Sequence, residues 1–227
     1  MATRKTRHKI VRDFLQILGD KGWDEATPAA VAAQSGVSLS VMRGEFPTRL
    51  SLLEGAMAQI DQTVLENIDE DMGEEAPRDR LFDVLMSRLD AMTPYKAAIR
   101  ALKSAVARDP VLALEVNGIA SVSMRWMLTA AAIEGRGWRG HIMVQGLVVA
   151  FARLLDTWLE DDDAGLARTM AKLDRELEKG GEWMARLDRA AGFVRPFAER
   201  AEKRRKRRRD AMRESHEADE MDEGEGI

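Results

Sequence analysis

The sequence predicts an all-α fold: an N-terminal three-helix helix-turn-helix followed by a helical bundle. Three observations carry the prediction. Apolar residues recur at three- and four-residue intervals along most of the chain, the spacing of one helix face. Helix-capping residues punctuate the first part at Thr27-Pro28, Gly36 and Ser38. The six prolines and 5% aromatic residues carry no signature of a β-sandwich or a repeat array.

The first helix is predicted from Arg7, where Ile10, Val11, Phe14, Ile17 and Leu18 share a face, and is ended by Gly19 or Gly22. Thr27 can cap the next helix with its side-chain oxygen, and Pro28 has no N–H to leave orphaned, so helix 2 runs from Pro28 to about Ser35. Gly36 suits a left-handed turn. Ser38 then caps a third helix that carries Val41, Met42, Glu45 and Phe46 and stops at Pro47. Ala32, four residues before Gly36, places a small side chain where helix 3 must approach. Three short helices with a glycine turn between the last two make the helix-turn-helix pattern.

From Thr48 a long connecting helix carries Leu50, Leu53, Met57, Ile60, Val64 and Ile68. Asp69 to Glu75 reads as an acidic loop. Leu81 to Met92 forms a helix ended by Pro94, and Tyr95, Ile99, Leu102 and Val106 mark the next. Asp109-Pro110 opens a longer helix, which the glycines at 135 and 137 are expected to close. Trp138 to Leu159 is apolar almost all round, which predicts burial on more than one side. After a polar turn at Asp161 to Asp163, Leu166, Met170, Leu173 and Leu177 mark a last amphipathic helix, extended by a turn or two at Trp183 and Leu187. The expected domains are 1–47, arm and helix-turn-helix; 48–190, ligand-binding and dimerisation bundle; and 191–227, a charged tail too poor in apolar periodicity to fold.

Composition narrows the function. With no cysteine, disulfides, zinc-thiolate centres and thiol catalysis are excluded. The histidines His8, His141 and His216 are far apart and lack acids at metal-ligand spacing, and the aspartates 161–163 suit helix capping better than a metal. No phosphate loop, nucleophile elbow or paired-carboxylate arrangement appears, so neither an enzyme nor a cofactor is expected. The longest uninterrupted apolar run, Leu147 to Ala152, is too short to span a bilayer, and no signal-peptide pattern follows the basic N-terminus, which predicts a cytoplasmic protein. The net charge of −4 is unevenly placed, with Lys203 to Arg209 wholly basic; that run offers the one expected route to anionic membrane.

Gly36-Val37-Ser38, Phe46-Pro47-Thr48-Arg49 and Leu52-Leu53 resemble the end of the DNA-binding domain of the TetR family of transcriptional regulators, over residues 7 to 57. The resemblance implies a homodimer with a helical ligand-binding domain, bound to a double-stranded, palindromic operator. It also implies that Ser38, Leu39, Ser40, Val41 and Arg43 face the major groove, with Thr27 and the arm carrying Arg4, Lys5 and Arg7 on phosphates and Arg49 beside them. The sequence departs from the family pattern at Arg43, where a tyrosine is usual, and at Glu45, where an aromatic or histidine is usual. A carboxylate on a recognition helix repels phosphate.

Residues 81 to 178 are similar to TetR-fold lipid-binding proteins of ubiquinone biosynthesis, through Arg88-Leu89-Asp90-Ala91-Met92 before Pro94-Tyr95, the surroundings of Trp126, and Leu155 to Asp163. That resemblance implies an apolar or lipid ligand held in the helical domain. Met124, Trp126, Met127, Met143, Phe151 and Trp158 are its candidate lining, since Met and Trp adapt to irregular apolar shapes. Two functions follow: a DNA-binding regulator that responds to a small apolar ligand, or a lipid-binding accessory protein of ubiquinone biosynthesis without DNA binding.

Overall fold

A computed structural model of the chain describes residues 3–68, 74–186 and 189. Two compact units are present, 1–178 and 179–227. The first contains α1 (Arg4–Lys21), α2 (Pro28–Ser35), α3 (Leu39–Glu45), α4 (Arg49–Glu66), α5 (Pro77–Met92), α6 (Lys96–Val106), α7 (Pro110–Ala130) and α8 (Gly137–Leu159). A final helix, α9, begins at 167. In the second unit residues 179–186 are helical, and Arg186 pairs with Glu182 at 3.3 Å. Residues 69–73 of the loop expected at Asp69 to Glu75, the turn at Leu187 and the charged tail at 191–227 lie outside the described residues.

The first unit is built on two apolar cores. Ile10, Phe14 and Leu18 of α1, Val31 of α2, Met42 of α3 and Leu52 of α4 close the first, which continues into Ala98 and Ala105 of α6. The second gathers Ile60 and Val64 from α4 with Leu85, Met127, Leu154 and Trp158 from α5, α7 and α8. α4 belongs to both: its first turns sit in one core and its last turns in the other. At about 25 cal/mol per Å² of apolar surface, burial of side chains this large is the main stabilising term for each core.

The helix starts follow the local chemistry. Thr3, Thr27, Ser38 and Thr48 each accept a backbone N–H two or three residues into their helices. Because Thr3 takes the N–H of Thr6 at 3.2 Å, α1 begins at Arg4 and the basic arm is its first turns. The glycines at 135 and 137 do not close α7. The helix ends at Ala130, where Ile133 donates to the Leu128 carbonyl at 2.8 Å and Ala132 takes the left-handed position at φ 52°.

α8 corrects the expectation of burial on more than one side. It buries one face, with Val144, Leu147, Phe151 and Leu154, while Trp138 and Val149 on the other are about half exposed. Taken whole, and not as the run 147–152, α8 is long and apolar enough to cross a membrane by length and composition. In this fold it supplies core side chains.

Candidate DNA-reading helix and ligand groove

Gly36 makes the turn of the helix-turn-helix. At φ 67° and ψ 31° it occupies the left-handed region, where a Cβ is strained, and its N–H reaches back to α2. Val37 donates to the Ala32 carbonyl at 3.1 Å, and the Ala32 side chain is buried at that corner. α3 is fastened by Met42, 1% exposed, and its other face is open: Leu39 is 64% exposed and Val41 38%, with Ser40 and Arg43 also exposed. Ser38 spends its side-chain oxygen on the N–H of Val41 at 3.2 Å.

The remaining basic positions divide by what they touch. Arg7 pairs with Glu45 and lies over the Phe46 ring, 4.8 Å from its centroid. Arg49 donates to the Trp23 carbonyl at 2.7 Å and stacks on the Trp23 ring at 4.7 Å, so it holds the loop before α2. Arg4 meets Glu66 at 3.7 Å with both side chains exposed, and Lys5 is exposed. Thr27 accepts the Ala30 N–H at 3.2 Å, capping α2. The structure thus groups Leu39, Ser40, Val41 and Arg43 on one outward face and gives Arg7, Arg49 and Thr27 intramolecular partners.

A buried polar joint between α1 and α2 was not anticipated from the sequence. Asp13, 7% exposed, accepts from Ser35 and from Lys9, both at 2.8 Å. The i, i+4 pair Lys9 and Asp13 was its legible half. Ser35 comes from a helix whose approach only the folded chain defines.

A groove of about 610 Å³ lies between α4 and α7, within the range of small-molecule sites. Leu50, Met57, Leu65, Ile119, Val122 and Trp126 supply apolar walls, and Glu54, Asp61, Glu115 and Ser123 supply polar groups. Asp61 is buried in the floor. One of its oxygens, Oδ1, accepts from Ser123 at 2.6 Å and from Arg88, which reaches over from α5 and lies 5.5 Å from the Phe151 ring centroid. Burial pushes the Arg88 guanidinium below its ordinary pKa, and Asp61 opposes the shift.

Of the expected pocket residues, Trp126 is on this groove. Met124, Met127, Phe151 and Trp158 are packed in the second core, and Met143 is half-buried against it. Sequence reasoning missed the acids Glu54, Asp61 and Glu115. A signal existed in α4, where Leu50, Glu54, Met57, Asp61 and Leu65 repeat at helical spacing beside the core face. Another was Arg88, set among Leu81, Leu85 and Met92 on an apolar stripe and so in need of a buried acid.

Among the described residues no cluster of His, Cys, Asp or Glu is arranged to hold a metal. No family model matches the chain, and no curated protein matches it. Solved structures do. A TetR transcriptional regulator from Nitrosomonas europaea superposes with a TM-score of 0.60 at 18% identity, covering 77% of this chain and 97% of the other. A TetR transcriptional regulator from Rhodococcus sp. gives 0.58 at 17% identity, over 78% and 96%. A third, a TetR-family regulator from Streptomyces coelicolor, gives 0.55 at 17% identity, over 86% and 88%. At such identities the likeness is one of fold: the chain has the all-α TetR fold. None of the three is described as a ubiquinone-biosynthesis protein.

Proposed function

We propose that the protein is a TetR-type DNA-binding transcriptional regulator responsive to a small apolar ligand, acting in the cytoplasm as a homodimer on a palindromic duplex. The observation that carries the reading is the outward face of α3. Leu39, Ser40, Val41 and Arg43 are exposed there, while Glu45, the acid that would repel phosphate, is engaged by Arg7. Apolar side chains on such a face suit thymine methyl groups, and Arg43 suits a guanine edge.

The rest of the architecture supports the same function. Trp138 and Val149 on α8 and Met170 on α9 are exposed, and a second copy related by a two-fold axis would cover them. The groove borders α4, the helix that belongs to both cores. A ligand in the groove therefore acts on an element whose first turns pack against the helix-turn-helix.

The test is selection of binding sites from random duplex DNA with the full chain. A palindromic site is expected. On that site Arg43→Ala should weaken binding by roughly 1–3 kcal/mol and relax preference at one position, as expected for a direct base contact. If no sequence is enriched, the regulator reading fails.

A further inference from the structure

We propose that the groove between α4 and α7 binds an amphipathic organic cation, a compact apolar body bearing one delocalised or quaternary positive centre. The proposal rests on the reading that this groove is the regulator's ligand site, and it names the chemistry of the ligand. The lining contains three carboxylates, Glu54, Asp61 and Glu115, and no lysine, arginine or histidine. Asp61 is matched by Arg88, so the floor is close to neutral. Glu54 and Glu115 are exposed and form no ion pair or hydrogen bond among the described residues.

The facing stretches of the two helices supply little opposing charge. From Leu50 to Glu66 α4 has no basic residue, and in α7 the one base, Arg125, is outside the lining. Trp126 forms part of the wall and is 51% exposed, which leaves indole surface open to a cation.

These facts rank the possible guests. An anion would enter against two uncompensated carboxylates. A neutral apolar molecule gains the walls but removes water from those same carboxylates without replacing it. A cation gains the walls, the carboxylates and the ring face together. The volume of about 610 Å³ admits such a molecule at drug size.

Two probes of the same shape and opposite charge make the test: tetraphenylphosphonium and tetraphenylborate, titrated calorimetrically into the full chain, with triphenylphosphine oxide as the neutral comparator. The phosphonium should bind at least about tenfold more tightly than either of the others at moderate salt. Glu54→Gln with Glu115→Gln should erase most of that preference while leaving the far-ultraviolet circular dichroism unchanged. Trp126→Leu should weaken the phosphonium more than the neutral probe. Equal or tighter binding of the borate, no binding of the phosphonium, or a preference that survives the double glutamine variant would overturn the proposal.

Release from the selected operator is measured in parallel. Cation binding by a chain that selects no DNA site would sink the regulator reading and keep the cation site. A selected operator with no phosphonium binding would do the reverse.

Discussion

Arg7 on α1 pairs with Glu45, the last residue of α3, and its guanidinium covers the ring of Phe46. The acid that stood out in the sequence as a repellent on a DNA-reading helix is therefore neutralised from within the chain. The same contact makes Arg7 a brace for α3. Glu45 is well buried in the pair and Arg7 about half exposed, so the contact is partly screened by water.

Arg7→Ala is expected to lower stability by only about 1 kcal/mol, combining a partly exposed ion pair with a cation–π contact. Its effect on duplex binding should exceed that of Lys5→Ala, because it restores negative charge near the reading face as well as removing a positive one. Urea denaturation and salt-dependent binding of both variants check this; equal binding losses would refute it.

Gly55 is the close approach that lets Phe46 seat against α4. A Cβ there would lie 2.7 Å from Phe46 Cε1, and Phe46 is only 2% exposed. Gly55→Ala should therefore destabilise by about 1–3 kcal/mol from overpacking, despite alanine's better helix propensity. Thermal unfolding measures the sign: a rise in Tm would show that Phe46 moves aside without cost.

The buried pair beneath the groove should behave non-additively. Arg88→Met alone leaves the Asp61 carboxylate buried beside Ser123 and should cost about 3–5 kcal/mol. Asp61→Leu with Arg88→Met removes both charges and should cost less than the sum of the single changes. Additive losses in a double-mutant cycle would mean that the two residues do not act as a pair.

Acid should weaken the junction between α8 and α9. The Asp161 carboxyl is held below its ordinary value of 3.8, first by the Thr169 hydroxyl at 2.7 Å and then by the Thr169 N–H at 2.9 Å. A depressed carboxyl pKa contributes stability that is present above the unfolded value and is lost as pH falls through the folded one. The wild-type chain should lose this contribution below about pH 4, whereas Asp161→Asn should lack it already at pH 7 and show a shallower decline on acidification. Urea midpoints at pH 7, 4 and 3 for both proteins decide the matter.

The legibility of this chain follows the range of the interactions involved. α2, its turn and the start of α3 were readable from Thr27-Pro28, Gly36 and Ser38, since a cap or a left-handed turn is settled within a few residues. The end of α7 was not. The left-handed residue is Ala132 next to the fully buried Ala131, and that packing, which no local pattern records, overrides alanine's preference. The groove was half readable. Trp126 was singled out, but Glu54 and Glu115 line the groove from two helices far apart in sequence, and the expectation of a simply apolar lining overlooked them. Met124 and Trp158 were legible as large apolar residues, which periodicity cannot sort into cavity wall and solid core.

α6 has a mechanical role that its place in the chain conceals. One of its sides packs Ala98 and Ala105 into the core of α1. From another, Lys96 and Arg100 hold the carbonyls of Asp161 and Leu159 at 3.1 and 2.8 Å, while Lys103 meets Asp156 at 2.6 Å. Three cations one helical turn apart thus grip the negative end of α8. α6 is thereby the element that ties α1 to the far end of α8, although it follows both the helix-turn-helix and α5 in the chain.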